Sequence, residues 1–282
     1  MPHADPINRP IHAPRHAHLD DPLHARSILK VAATFWLVVA IAGQSVFVAY
    51  IASFYGGAAI TGNLTQWNKI LVAGYIRGDS IGNAALAAHL ALAILITVGG
   101  PLQLVPGMRT RWPALHRWIG RSYLTVAVLT SVAGVFMVWT RNVSGDLPQH
   151  IGVTLNAVLI VACAALALHH ALRRQIVAHR KWALRLFIVV SGSWFFRVGL
   201  LFWLMVNGRP VGFDADAFVG PTLSILTFAE SLVPLAVLEV YLRACEGRPG
   251  DKLASAGLLF VITLAMAAGI AGAAMVMWLP HL

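Results

Sequence analysis

Apolar residues in this chain gather into long unbroken runs instead of alternating with polar ones. The runs recur at about 28–54, 81–105, 115–140, 149–172, 182–206, 218–243 and 253–279. Crossing the hydrocarbon core of a bilayer takes roughly 20 residues at helical rise, and each run has that length. Inside lipid an open segment satisfies its backbone only as a helix. The pattern therefore predicts an all-α, polytopic membrane protein in which residues 28–279 form one domain of seven transmembrane helices, spans two to five making a bundle. Between spans one and two lies the longest polar break, about 55–80, where Trp67, Ile70 and Leu71 recur at helical spacing and predict a short interfacial helix on the bilayer surface. Asp79 and Ser80 are natural caps for span two. Pro101 and Pro106 break its far end, and Pro113 suits the first turn of span three.

Composition agrees. The chain has 282 residues, 58% hydrophobic and only 11% charged, with a mean hydropathy of +0.73; soluble domains carry about 25% charged residues. A net charge of +10 raises the question of nucleic acid, and the distribution of the charges answers it. Arg9, Arg15, Arg26 and Lys30, then Arg109, Arg111, Arg117 and Arg121, then Arg173, Arg174, Arg180, Lys181 and Arg185, then Arg243, Arg248 and Lys252 all fall on one side of the predicted topology. The other side has Lys69, Arg77, Arg141 and Arg209. Basic loops stay cytoplasmic, so the N-terminus is expected inside and the C-terminus outside, with no nucleic-acid partner implied.

Residues 1–27 are rich in Pro and His, with His3, His12, His16, His18 and His24 at irregular spacing, and predict a disordered cytoplasmic tail. They lack the plan of a signal peptide, so the first run is expected to be retained as a helix. Cys163 and Cys245 have neither metal nor disulfide spacing. The last span, with Ala265, Ala267, Ala268, Gly269, Gly272, Ala273 and Ala274, predicts close helix packing and has no lysine to carry a retinal Schiff base.

Four histidines occupy consecutive spans. His89 falls in the outer half of span two, His116 at the inner start of span three, His150 at the outer start of span four and His179 just before the inner start of span five. Two imidazoles on different helices at similar depth are what a bis-histidine haem needs. Pairing spans two and four, and three and five, would give two haems stacked across the bilayer. At the interface, among arginines, a histidine also suits headgroups and helix ends. His89 differs, because an ionisable group in the hydrocarbon region is a functional candidate by default. His89 lies nine residues after Ser80, roughly 13 Å at 1.5 Å per residue, whereas His150 is in the first turn of its span, so the outer pair is mismatched in depth.

Gly100-Pro101-Leu102-Gln103, Arg109, Leu115-His116-Arg117, Gly120-Arg121, Tyr123 and His179-Arg180-Lys181-Trp182-Ala183-Leu184-Arg185 resemble the bacterial membrane proteins of domain-of-unknown-function family 2306, over about residues 85–243. That resemblance implies a bacterial inner-membrane location and no established activity. The alternating histidines are also similar in pattern to the cytochrome b561 type of di-haem membrane cytochrome. That likeness implies His89 and His150 as ligands of an outer haem b, and His116 and His179 as ligands of an inner one.

Arg197, about 15 residues into span five, and Glu230, about 12 into span six, fall at similar depth and are expected to pair. Glu239 and Arg243 have the i, i+4 spacing of a local pair. The expected function is a b-type di-haem cytochrome moving electrons across the inner membrane, a transmembrane oxidoreductase with no catalytic side chain assigned. Its expected partners are membrane lipid and a cytoplasmic electron donor at the basic loops. The alternative is a haem-free transporter or small-molecule-binding membrane protein whose polar site is lined by Arg197, Glu230 and His89. A structural or assembly role has only the small-residue last span in its favour.

Overall fold

The computed structural model describes residues 22–71, 73–141 and 145–282. Residues 1–21, most of the expected disordered tail, lie outside the described residues, and from Pro22 the chain is already helical. The helices are α1 (Pro22–Tyr50), α2 (Gly57–Ile60), α3 (Ser80–Leu104), α4 (Pro106–Arg111), α5 (Pro113–Arg141), α6 (Leu147–Leu172), α7 (Ile176–Val190), α8 (Gly192–Asn207), α9 (Pro221–Glu246) and α10 (Pro249–Ala273). A π-helical turn, Ile51–Gly56, fuses α1 to α2 as one long rod. Six helical segments are long and apolar enough to cross a membrane alone, and α7 with α8 makes a seventh crossing if the bent pair is one span. The protein is thus an all-helical, polytopic membrane protein. The arginine-rich end, where α3 ends and α5, α7 and α10 begin, is called the basic end below.

Local chemistry sets several boundaries where the sequence put them. The Asp79 carboxylate accepts from the Gly82 backbone N–H at 2.8 Å and caps α3. Pro106 and Pro113 each occupy the first turn of a helix. Span five departs from expectation: it starts earlier, at Ile176, and breaks between Val190 and Gly192 with a 52° bend. The cause lies in Ser191-Gly192-Ser193. The Ser191 hydroxyl donates back to the Phe187 carbonyl at 2.9 Å, a bond that loosens the helical ladder, and Gly/Ser steps are habitual kink sites. Gln44 of α1 steadies the break by donating to the Ser191 hydroxyl at 3.0 Å.

Helices α3, α5, α6 and α7 pack in chain order, α1 and α8 pack on α10, and α9 touches both sets. The small residues of α10 do what their composition predicts. A Cβ at Gly269 would run into the backbone carbonyl of Val198 on α8, and one at Gly43 of α1 would meet Ile270 and Trp194 at 2.7–2.9 Å.

The loop between α2 and α3 forms a 3-10 helix, Leu64–Lys69. Trp67 turns inward from it, 2% exposed, and its indole N–H donates to the Tyr55 carbonyl at 3.1 Å. Its ring packs edge-on against Tyr55, centres 6.2 Å apart. Trp67→Phe keeps most of that burial and loses the bond, so it should cost about 1 kcal/mol, read as a lower midpoint in thermal unfolding of the purified protein.

Arg141, at the end of α5, gathers this region. Its guanidinium donates to the carbonyls of Gly82 (2.7 Å) and Gly74 (3.1 Å) and to the Asn83 side chain (3.0 Å), and sits 3.2 Å from the Asp79 carboxylate. At the basic end the expected Glu239–Arg243 pair is replaced by a two-pronged bond from Arg185 of α7 to Glu239, at 2.6 and 2.9 Å. A planar fork across two helices competes better for a carboxylate than a neighbour one turn away.

Candidate functional site

Two cavities flank the broken span. The first, about 400 Å³, lies between α3, α5, α6, α8 and α9 and is lined by His89, Gln44, Asn156, Ser191, Ser193, Arg197, Thr227 and Glu230 among apolar residues. Ile70, Leu71 and Phe218, all outside the spans, also line it. The second, about 580 Å³, runs toward the basic end between α1, α7, α8, α9 and α10 and is mostly aliphatic and aromatic. Glu230 lines both.

The polar cavity is unusual in what it leaves unpaired. The side-chain oxygens of Gln44, Tyr123 and Thr130 and the indole N–H of Trp194 line it and are buried with no hydrogen-bond partner among the described residues. Buried polar groups nearly always have a partner, in protein or in whatever enters the cavity. Glu230 is 8% exposed and, among the described residues, accepts no hydrogen bond and makes no ion pair.

That last point corrects the expected Arg197–Glu230 pair. Arg197 instead folds along its own helix, donating to the carbonyl and hydroxyl of Ser193, both at 2.7 Å, with its guanidinium 5.4 Å from the Phe47 ring centre. A near partner one turn back and an aromatic face hold it without a carboxylate. Both residues still line the same cavity. Their charges therefore face it without neutralising one another at contact distance.

The four histidines do not share one site, although His116, whose Nδ1 is buried without a hydrogen-bond partner among the described residues, lies close enough to His179 to feel its charge. His89 lines the polar cavity, with Nδ1 3.2 Å from the Thr130 carbonyl. His179 lines the apolar cavity, with Nδ1 2.9 Å from the Ala167 carbonyl. His150 packs edge-on against Trp139, ring centres 5.4 Å apart, with a buried Nε2 that has no partner among the described residues; neither His150 nor His116 lines either cavity. The structure thus gathers His89, Arg197 and Glu230, and gathers no two of the four histidines in one of these cavities. No group of three or more metal-binding side chains occurs among the described residues.

Gln44, Asn156, Ser191 and Thr227 escaped the sequence reading, which weighed ionisable groups. Their signal was available: an amide or hydroxyl inside an apolar span costs free energy unless bonded or facing a polar space. Asn156 accepts from Ser231 at 2.7 Å, so part of this set is a bonded interhelix network and part opens into the cavity.

One bent span beside a buried polar cavity thus sits within a polytopic, all-helical membrane protein. Residues 86–233, more than half of the chain, match the family described as predicted membrane protein (DUF2306), and the chain belongs to that family. No curated protein and no solved structure matches.

Proposed function

We propose that this protein binds a small polar solute inside the bilayer, in the cavity lined by His89, Arg197 and Glu230, and that it is built as a transporter. One observation carries the reading: the Glu230 carboxylate, without a hydrogen bond, is a wall common to two cavities. An intramembrane carboxylate so placed is a natural coupling group, since taking up or releasing a proton changes its cost of burial and its pull on a solute on either side. The break at Ser191 supports the same reading. Discontinuous helices beside a mid-membrane site are how transporters line a binding site with polar backbone and change access to it. A volume of about 400 Å³ suits a single small molecule.

Two measurements test it. In a Cys163→Ala, Cys245→Ser background, Thr130→Cys and Ser193→Cys should react with a small, charged, water-soluble thiol reagent at rates well above that of a cysteine placed at the lipid-facing Leu129. Equal, slow reaction at all three positions would remove the cavity from consideration as a solute site. The purified protein should also be colourless above the aromatic absorption band; stoichiometric haem would overturn the haem-free reading.

A second reading keeps the histidines, and one observation favours it. Carbonyl contacts at Nδ1 orient His89 and His179 and leave Nε2 of each as the available nitrogen, the arrangement found behind metal-bound imidazoles. On that reading haem b supplies one-electron transfer across the inner membrane, His89 and His150 hold the outer group, and His116 and His179 the inner. Substituting either member of a pair should then remove the same haem and leave the other.

A further inference from the structure

The polar cavity sorts its free hydrogen-bonding groups by kind. The Ser191 hydroxyl spends its proton on the Phe187 carbonyl, so toward Gln44 it can only accept. The Gln44 side chain therefore presents its amide nitrogen to Ser191 and leaves its carbonyl oxygen as a lone acceptor. Trp194, 3% exposed, contributes a lone donor, its indole N–H having no partner among the described residues. A charged group stands with each kind. Arg197, three residues beyond Trp194 and so on the same face of α8, spends one guanidinium nitrogen on Ser193 and keeps its other N–H groups without a hydrogen bond among the described residues. Glu230 brings its whole carboxylate. The two charges are not in contact, yet Arg197 lies within electrostatic reach of Glu230. A cation with a neutral donor and a carboxylate with a neutral acceptor thus line one space and leave a gap between them.

That balance discriminates among solutes. A lone anion or a lone cation would pair one charge, strand the other and bring an excess of its own into a low-dielectric space. A neutral polyol would satisfy hydrogen bonds and leave both charges unmatched. A molecule carrying both charges matches both groups at once.

We infer that the solute is a small zwitterion, an amino acid, with its carboxylate on Arg197 and the Trp194 N–H and its ammonium on Glu230 and the Gln44 carbonyl oxygen. The inference rests on the cavity being a solute site, which thiol reactivity at Thr130→Cys and Ser193→Cys tests separately. The full-length protein in nonionic detergent would be titrated with the common amino acids and 4-aminobutyrate, binding being read from the saturable rise in thermal midpoint that a ligand of the native state gives. At least one of them should bind. Its analogue without the amino group, its analogue without the carboxylate, and glycerol should each bind at least about tenfold more weakly. Arg197→Gln and Glu230→Gln should each weaken the amino acid by a similar factor, and Arg197→Lys by less. In Glu230→Gln the preference over the deaminated analogue should vanish, and in Arg197→Gln the preference over the amine, a change of selectivity that a merely loosened fold does not produce. Equal binding of the deaminated acid, of the amine or of glycerol by the native protein would assign the cavity to anions, cations or neutral solutes, and each overturns the inference. Reactive cysteines with no amino acid bound would overturn it and leave the solute site standing; unreactive cysteines would remove both.

Discussion

Arg141→Ala is expected to be the most destabilising single substitution away from the helix-packing glycines, at about 3 kcal/mol. The side chain is 3% exposed and joins three otherwise separate pieces of chain: the Gly74 turn, the Asp79–Asn83 start of α3 and the end of α5. Removing it leaves the Gly74 carbonyl without this donor, a penalty of about 1–3 kcal/mol when buried, takes a second donor from the Gly82 carbonyl, and leaves a carboxylate without its cation. Asp79 is 34% exposed and can turn to water, which holds the total near the lower end of the range for breaking a buried pair. Thermal unfolding should show a midpoint lower by roughly 10 °C. Arg141→Lys restores the charge but not the fork and should recover less than half of the loss. A lysine variant as stable as the native protein would show that charge alone holds the loop.

Glu230→Leu is expected to move stability the other way. A buried carboxylate with no hydrogen-bond donor is a standing cost, and replacing such a group by an apolar one of similar volume is commonly stabilising, here by about 1–3 kcal/mol. Glu230→Gln, which keeps shape and polarity, should fall between. The proposed function makes the second half of the prediction: both variants should lose transport while remaining folded, because the group that destabilises the native state is the one that couples the two cavities. A leucine variant several degrees less stable than the native protein would mean that the carboxylate is held by a partner and is structural.

The architecture was legible because membrane helices announce themselves by length. The Asp79 cap, Pro106 and Pro113 are local signals that the helices follow, whereas α3 runs on through Pro101, where a break was expected, to Leu104. What failed was pairing across helices. Glu230 and Arg197 were matched by depth, but depth gives no rotation about the helix axis, and the Ser193 hydroxyl one turn from Arg197 was the nearer partner. Glu239 was assigned to Arg243 by spacing along α9, when the partner with better geometry, Arg185, sits on α7. The break at Ser191 was visible as Ser-Gly-Ser in an apolar run and was passed over because the run had a plausible length without it. The alternation of histidines was equally visible; His89 and His150 have different surroundings, while His116 and His179 lie within electrostatic reach of each other.

The bend between α7 and α8 also divides allegiance. Below it, α7 shares a core with α3, α5 and α6 through Ile96, Tyr123, Ile160, Leu186 and Val189. Above it, α8 belongs to α1 and α10 through Trp194, Val198, Leu201, Met266 and Ala273. A single span thus contributes to two hydrophobic clusters, and Ser191 lies between its two shares. Rotation of α8 against α7 would concentrate at this residue and strain the bond from Gln44. It would also move the walls of both cavities at once, since each is lined from both sides of the break and Glu230 of α9 borders the two.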